Sequence, residues 1–224
     1  MTGLALSLKE GTKESHSAAE NTKFVAGFLR GVLDPEQYRQ LLTNFYYVYQ
    51  TMEDLIRNST DPVVKKIHYT ELERVNNLER DLRYFYGPNW RSLQIPSEAC
   101  NQYCYRLNQV AEETPYLLIA HHYTRYIGDL SGGQILRGIA QKALTPPGDE
   151  GLWFYDFPNI SDTKGFKESY RTTLDSLGLD ESQVNALIAE ANHAFKLNMY
   201  MFDELKGNST KSFFKILLNT ILGK

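Results

Sequence analysis

The sequence has few cysteines and no long apolar run. Its 224 residues include two cysteines, Cys100 and Cys104, which are four apart and have no nearby histidine. Such a pair is not a zinc site, and we interpret both as packing thiols in a reducing compartment. Lys9 and Glu10 interrupt the N-terminal segment before a secretory core can form, and no stretch approaches the roughly 20 apolar residues of a membrane span. We therefore expect no transmembrane anchor and a location in the cytoplasm or a plastid stroma.

The sequence also lacks a strongly basic region. Its formal net charge is -3 at pH 7, and its lysines and arginines form no polybasic block. Because binding to nucleic acids depends on such positive charge, we expect no nucleic acid partner.

Alternating strand patterns are nearly absent, whereas apolar residues recur with the 3.6-residue period of a helix along most of the chain. A long helical segment begins after Pro115. Further helices are predicted at 36–57, 72–85, about 97–113, 163–177 and 181–206. The pattern indicates an all-α single domain of seven or eight helices over residues 1–206, without repeats or a dividing linker.

The remaining residues, 207–224, are predicted to form a C-terminal amphipathic tail. Phe213, Leu217 and Ile221 make an apolar stripe beside Lys215. The stripe is too short to span a bilayer. We favour a helix that lies on the body of this chain or on a second copy, which leaves a homodimer open, over contact with a membrane surface.

Three glycines interrupt a strongly helix-forming segment in the stretch GDLSGGQ, residues 128–134. Each costs about 1 kcal/mol relative to alanine in a helix. Gly128 and Gly132 share one helix face, with Gly133 beside them, so they leave a patch of bare backbone. Two explanations are open: a tight helix crossing, or a kinked backbone that lies against a flat ligand.

His16 lies in the first helical segment, on a face shared with Leu8 and Thr12, and Glu20 follows it by one turn. A histidine in such a place is more often a packing or surface residue than a metal ligand. A neighbouring carboxylate is nevertheless typical of ligating histidines, because it fixes the tautomer of the imidazole and raises its basicity. His16 is therefore a candidate metal ligand with Glu20 as its partner.

Four stretches together resemble the heme oxygenase family. They are LKEGTKESHSAAEN near the N-terminus, AHHYTRYIGDLSGGQILRGIAQKAL around the glycines, YGP at 86–88, and GLWFYDFPNI. The similarity extends from about residue 4 to about residue 206, and GDLSGGQ in this context is far more specific than a glycine pair. The resemblance implies an all-α fold that holds heme between a proximal helix and a kinked distal helix.

By this resemblance, the distal side consists of glycines and a polar group. Gly128 and Gly132 match the glycines of the distal helix, whose backbone lies over the heme. Asp129 matches the distal aspartate, which anchors ordered waters that carry protons; a solvent-facing aspartate is the alternative. The other polar residues that the resemblance implies near these waters are Arg125, Tyr49 and Asn198.

On the proximal side of the heme, the resemblance implies that His16 is the axial ligand of the iron and that Glu20 supports it. Heme carries two propionates, which need cations and hydroxyl donors. The positions that the resemblance assigns to them are Lys9, Tyr123, Lys167 and Arg171. A continuous helix would place Lys9 and His16 on the same face two turns apart. A solvated helix face is the alternative for Lys167 and Arg171, and we assign no ligand role to His121 or His122.

The implied activity is the cleavage of heme b, as cofactor and substrate, by dioxygen and electrons to biliverdin, ferrous iron and carbon monoxide. The sequence contains no GxGxxG fingerprint for a flavin or nicotinamide, so the electrons must come from an external donor. Similarity to the bacterial and plastid members implies ferredoxin or a similar acidic donor, and synthesis of bilin pigments as the use of the product. The basic residues that could form a collar for such a donor are Lys9, Lys13, Lys167 and Arg171.

Two other functions stay open at this point. A heme-binding protein without turnover would use the same pocket, although Asp129 and the intact GDLSGGQ motif argue against it. A di-iron carboxylate oxidase needs two Glu-x-x-His motifs, and Glu190 with His193 provides one.

Overall fold

The computed structural model describes residues 3–205, which form helices and turns without a β-strand. The all-α prediction is therefore confirmed. The α-helices are α1 (Leu4–Gly11), α2 (Lys13–Glu20), α3 (Lys23–Leu29), α4 (Pro35–Asn58), α5 (Pro62–Lys65), α6 (Val75–Tyr86), α7 (Trp90–Leu93), α8 (Glu98–Glu113), α9 (Leu118–His122), α10 (Gly128–Leu144), α11 (Thr163–Asp175) and α12 (Glu181–Glu204). A π-helical turn, Tyr123–Ile127, joins α9 to α10.

The twelve helices of the described part exceed the predicted seven or eight. Two of the additional helices, α5 and α7, have four residues each, and this is too short for a periodic pattern to be visible in the sequence. The others arise where a predicted continuous helix is divided, at Thr12 and at the π-helical turn.

The division at Thr12 corrects the prediction that Lys9 and His16 lie on one continuous helix. Thr12 has φ -110° and ψ 2°, outside the helical range, and its hydroxyl donates a hydrogen bond to the carbonyl of Leu8 over 2.8 Å. Gly11 and Thr12 are both weak helix formers, and threonine side chains compete for backbone hydrogen bonds. Gly11 also lies directly against α12, because a Cβ atom there would come within 2.6 Å of Ile188.

Helix α4 forms the centre of the core and agrees closely with its predicted range. Asp34 caps its N-terminus by accepting the backbone N–H groups of Glu36 and Gln37 over 2.9 and 3.0 Å, and Pro35 occupies the first turn. Most of the apolar residues of α4 are buried. Helix α4 packs against α6 and α8 and presents one side to the interior, where a slot is found.

Helix α12 packs across several other helices. A capping box begins it, since Asp180 accepts the N–H of Gln183 and the Gln183 side chain accepts the N–H of Asp180. The helix packs against α1, α2, α3, α8 and α9. It therefore fixes the two N-terminal helices relative to the rest of the bundle.

Buried polar groups form hydrogen bonds to the segment that contains GLWFYDFPNI. The Asp81 carboxylate accepts the N–H groups of Trp153 and Phe154 over 2.9 and 2.8 Å, and the Tyr38 hydroxyl donates to the carbonyl of Gly151. Arg74 donates to the carbonyl of Phe154. These bonds hold an irregular loop in one position, with the Phe154 side chain at the slot.

Both cysteines are free thiols, Cys100 buried and Cys104 half-buried. No helix of residues 3–205 has the length and hydropathy that crossing a bilayer requires. The predicted amphipathic tail at 207–224 lies outside the described residues, so the boundary between domain and tail stays a prediction.

Candidate functional site

A slot opens among the N-terminal helices, α4, α10 and α12. Helices α2 and α3 line one part of it, and the π-helical turn and α10 line another. Most of its lining is apolar and aromatic. The lining residues are His16, Ala19, Glu20, Phe24, Val25, Phe28, Leu29, Leu41, Phe45, Thr124, Arg125, Gly128, Asp129, Gly132, Gly133, Ile135, Leu136, Phe154, Tyr155, Phe195, Asn198 and Phe202.

Gly128 and Gly132 present bare backbone to this slot. A Cβ atom added to either glycine would meet no heavy atom within 4 Å, so no neighbouring helix requires their small size. Gly133 differs, because its Cβ would lie 3.6 Å from the ring of Tyr155. Of the two explanations that the sequence left open, the structure excludes a tight helix crossing at Gly128 and Gly132 and favours backbone that faces a ligand.

A change in helix type accompanies the bare backbone. The π-helical turn Tyr123–Ile127 immediately precedes Gly128, whose own φ of -62° and ψ of -48° are ordinary helical values. The irregularity therefore lies before the glycines, and π-turns are common at functional sites. The π-helical turn is held by Tyr126, whose hydroxyl donates a hydrogen bond to Glu53 over 3.1 Å. Burial raises the pKa of Glu53 to about 7.

His16 is available for a ligand. Its side chain is 58% exposed and lines the slot, so it is not a buried packing residue. Nδ1 lies 3.7 Å from the Glu20 carboxylate, and the ring meets Phe195 edge-on with centroids 5.8 Å apart. An exposed pair of this kind adds little stability. That the Glu20 carboxylate orients a ligating imidazole stays a prediction.

Four of the predicted polar residues meet in one buried cluster. Arg125 donates from Nε to the Tyr49 hydroxyl over 3.0 Å and from Nη1 to Asn198 Oδ1 over 2.8 Å. Its Nη2 lies 3.4 Å from Asp129 Oδ1, and the Tyr49 hydroxyl donates to the other carboxylate oxygen. Asp129 is only 9% exposed, so the alternative of a solvent-facing aspartate is wrong. Tyr49 lies behind Asp129, whereas the other three reach the slot.

Burial sets the electrostatics of this cluster. It raises the pKa of the Asp129 carboxyl above its usual value, and the Arg125 charge and the Tyr49 hydrogen bond oppose that rise. It also raises the pKa of Tyr49 strongly. Burial lowers the pKa of Arg125, but Tyr49 and Asp129 outweigh it, so its pKa lies above the usual value. A permanent cation therefore sits beside a carboxyl group at the edge of the slot.

The four residues predicted to bind propionates do not line the slot. Lys167 reaches α10, with Nζ 3.4 Å from the hydroxyl of Ser131, the residue next to Gly132. Tyr123 is half-buried and lies close enough to Arg171 for that charge to influence its pKa, which burial raises. Lys9 and Arg171 are exposed on α1 and α11. Their assignment to propionates stays a prediction.

The aromatic lining is the part of the site that the sequence did not reveal. Helical periodicity marks these residues as apolar, but it does not say which of them face a slot rather than another helix. The residues concerned are Phe24, Phe28, Phe45, Phe154, Phe195 and Phe202.

His121 and His122 lie in the core and not in the slot. His121 is bonded to Glu190 over 2.9 Å, and His122 Nδ1 lies 2.7 Å from the Tyr170 hydroxyl. Burial raises the pKa of Glu190, but His121 and Arg106 outweigh it and lower that pKa to about 2. Glu190 thus serves an ion pair, and residues 3–205 contain no group of three or more His, Cys, Asp or Glu that could hold a metal ion.

A family model described as heme oxygenase matches residues 2–204. The chain belongs to the heme oxygenase family. A heme oxygenase from Rhodella violacea is 48% identical over 98% of this chain and 94% of its own length. Heme oxygenase 1 of Nostoc sp. is 47% identical over 100% of this chain and 94% of its own length.

A solved structure agrees with the fold of this heme oxygenase. The crystal structure of heme oxygenase-1 from the cyanobacterium Synechocystis sp., in complex with heme, has a TM-score of 0.91 and 45% identity, and the match covers 98% of this chain and 100% of that one. The resemblance identified from the sequence is confirmed, as is the prediction of a heme-degrading enzyme.

The glycine geometry predicts how alanine substitutions change stability. We expect Gly128→Ala, Gly132→Ala and Gly138→Ala each to increase the free energy of unfolding of the ligand-free protein by about 0.5–1 kcal/mol, because alanine favours the helix and the methyl group meets nothing. Gly11→Ala should decrease it, because its methyl group collides with Ile188. Denaturant titration measures all four. If the free energy of unfolding decreased in Gly128→Ala or Gly132→Ala as much as in Gly11→Ala, the finding of open space beside Gly128 and Gly132 would be contradicted.

Proposed function

We propose that this chain binds heme b in the slot and cleaves it, with dioxygen and electrons, to biliverdin, ferrous iron and carbon monoxide. The observation that carries the proposal is the bare backbone of Gly128 and Gly132, which faces a slot that His16 also lines. The slot suits a flat apolar macrocycle that contains a metal: its walls are largely aromatic, and a histidine and a small polar cluster supply the hydrogen-bonding and ligating groups.

Heme supplies the iron at which dioxygen is reduced and the macrocycle that is opened. His16 would hold that iron through its imidazole. The Glu20 carboxylate lies 3.7 Å from Nδ1, where its charge would favour the tautomer that carries the proton on Nδ1 and leave the other nitrogen free to act as ligand. Through His16 the chain would offer the iron an imidazole, which is a weaker electron donor than a thiolate.

Gly128 and Gly132 contribute to the site because they have no side chains. Neither Gly128 nor Gly132 offers a side chain that could donate or accept a proton, and both allow the peptide chain to approach a flat ligand closely. Such a wall restricts where a small molecule fits above the macrocycle. In this proposal, the backbone of α10 selects the edge of heme that reacts, while proton transfer is left to neighbouring residues.

Asp129 is the residue to which we assign proton handling. Its carboxyl group is buried at the edge of the slot, and Arg125 and Tyr49 restrain both of its oxygens. Asn198 holds Arg125 from the other side. A restrained carboxyl with a raised pKa can order water molecules and exchange protons with them.

The heme propionates would be bound at the rim by Lys9, Tyr123, Lys167 and Arg171. The position of Lys167 beside Ser131 of α10 supports this assignment, since it places an ammonium group next to the glycine face. Three of the same residues, Lys9, Lys167 and Arg171, would form a basic collar together with Lys13.

The electrons would come from ferredoxin or a similar acidic protein that docks on this collar. We place the chain in the cytoplasm or a plastid stroma, where biliverdin would enter the synthesis of bilin pigments. A homodimer through the tail at 207–224 is a further proposal, which gel filtration of the full chain at several concentrations tests directly.

We expect His16→Ala to abolish axial ligation of the iron. The ferric Soret band of the hemin complex should shift. Added imidazole should restore its position, because removal of the His16 side chain leaves space for a free imidazole to bind. His193→Ala is the control, since His193 is also a half-exposed helix histidine but does not line the slot. An unchanged spectrum in His16→Ala would remove His16 from the site.

We expect Asp129→Ala to lower the rate of biliverdin formation at least tenfold, in line with the contribution of a positioned acid–base group. The affinity for hemin should stay within about twofold, because Asp129 is not a ligand; titration of the Soret band measures it. Asp149→Ala removes an exposed ion pair with Arg137 of α10 and should have no effect on the rate. Undiminished biliverdin formation in Asp129→Ala would contradict the role of Asp129.

A further inference from the structure

A row of aromatic side chains leads from Tyr49, next to the slot, to the surface. The ring centroids of Tyr49 and Tyr126 lie 5.4 Å apart, and those of Tyr126 and His122 lie 4.4 Å apart. His122 stacks on Tyr170, with centroids 5.5 Å apart and an interplanar angle of 8°. Tyr69 is half-buried, and its ring centroid lies 5.7 Å from that of Tyr170. Successive rings are therefore in contact, and we call the four tyrosines the tyrosine row.

The inner end of the tyrosine row lies one layer of side chains away from the slot. Phe45 and Phe154 line the slot, and their ring centroids lie 6.1 and 5.7 Å from that of Tyr49. Tyr49 itself is fully buried. An electron that moves between Tyr49 and a ligand in the slot therefore has to cross only these rings, and electrons tunnel readily through protein over such short distances.

Each buried tyrosine of the row forms a hydrogen bond with a side chain that can take up a proton. A phenol that loses an electron becomes strongly acidic, so a base within hydrogen-bond distance makes a tyrosine easier to oxidise. Tyr38 and Tyr47, which lie outside the row, donate instead to backbone carbonyls, and a carbonyl does not take up a proton at ordinary pH. The pairs in the row are Tyr49 with Asp129, Tyr126 with Glu53, and Tyr170 with His122.

His122 is suited to act as the base for Tyr170. Its Nδ1 lies 2.7 Å from the Tyr170 hydroxyl, and burial lowers the pKa of His122 to about 3. The imidazole is therefore neutral at pH 7, and Nδ1 accepts the phenolic hydrogen when Nε2 carries the ring proton. At the outer end, the Tyr69 hydroxyl lies 2.7 Å from the hydroxyl of Thr173, and both residues are half-buried. The row thus ends where a reductant in solution can reach it.

We propose that the tyrosine row carries electrons from the surface to the slot when hydrogen peroxide has oxidised the heme bound there, and that it thereby protects the site from oxidative damage. The proposal rests on the proposed binding of heme in the slot. It does not depend on the formation of biliverdin. It gives a function to a set of buried hydroxyl groups that the cleavage of heme does not require.

Electrons and protons balance at each step. Reduction of one hydrogen peroxide to two water molecules takes two electrons, which the heme supplies, and two protons, which the solvent supplies. Tyr49 returns one electron to the heme and passes its phenolic proton to Asp129. Tyr126 then reduces Tyr49, which regains its proton, while the proton of Tyr126 moves to Glu53. The same exchange continues to Tyr69, whose radical takes an electron and a proton from an external reductant such as ascorbate. A second passage returns the other electron.

Radical trapping on the hemin complex of the full chain tests the direction of the row. The complex is mixed with one equivalent of hydrogen peroxide and a nitroso spin trap, and peptide mass spectrometry locates the trap. We expect the label at Tyr69, although Tyr105 and Tyr200 are more exposed, at 73% and 51%. Label spread equally over Tyr105 and Tyr200, the result of oxidation from solution, would overturn the proposal. Label confined to Tyr155, which lines the slot, would do so as well.

Tyr170→Phe tests the path, because phenylalanine keeps the ring but is far harder to oxidise than tyrosine. This variant should lose the label at Tyr69, and hydrogen peroxide should bleach its Soret band faster than that of the wild type. Tyr46→Phe is the matched control, since Tyr46 is also buried but its ring contacts Tyr47 and Trp90. Wild-type labelling of Tyr69 in Tyr170→Phe would show that electrons do not pass through Tyr170.

Tyr69→Phe changes only the half-buried end of the row and leaves its core intact. The frozen, peroxide-treated hemin complex of this variant should still show a tyrosyl radical by electron paramagnetic resonance. Ascorbate should quench that radical more slowly than in the wild type, because the outer tyrosine is missing. Equal quenching in both proteins would contradict the role of Tyr69.

Turnover is measured separately with the same hemin complex. If hemin binds but a reductant yields no biliverdin, the proposed function fails, while the radical measurements are unaffected because they need only bound hemin and peroxide. If biliverdin forms but no radical reaches Tyr69, the tyrosine row fails alone. A Soret titration that shows no hemin binding would overturn both.

Discussion

The absence of side chains on one face of α10 is the constraint on which the rest of the site depends. A helix face without side chains loses packing contacts and gains backbone freedom in the unfolded chain, so it is costly unless the space above it is used. Gly128 and Gly132 face open space, while the adjacent Gly133 already packs on Tyr155. The neighbouring elements therefore hold α10 in place from its other sides and leave this face clear.

Buried polar groups supply that support. Glu53 of α4 binds Tyr126 of the π-helical turn, and Arg125 of the same turn is bonded to Tyr49 of α4 and Asn198 of α12. The turn that sets the direction of α10 is thus fixed to two other helices. The same bonds place a charged guanidinium beside Asp129. One network therefore orients the glycine face of α10 and also determines the electrostatic environment of the Asp129 carboxyl group.

Long periodic elements could be predicted from the sequence, and short or irregular ones could not. Helices α4 and α12 agree with the ranges that the apolar period predicts, because this signal is local. The break at Thr12 and the π-helical turn depend on contacts with distant residues such as Ile188 and Glu53. The glycine face was visible in the sequence, but its role was open until the structure showed the space beside it. The partnership of Tyr49 with Asp129 followed only from family resemblance.

The hemin affinity of alanine variants along α10 shows whether a ligand lies against the glycine face. Gly128→Ala and Gly132→Ala place a methyl group in the slot, whereas Gly138→Ala places one on an exposed part of the same helix. We expect titration of the Soret band to show at least a tenfold loss of affinity in the first two variants and wild-type affinity in the third. Equal affinities in all three would show that the ligand does not lie against this backbone and would contradict heme binding at the glycine face.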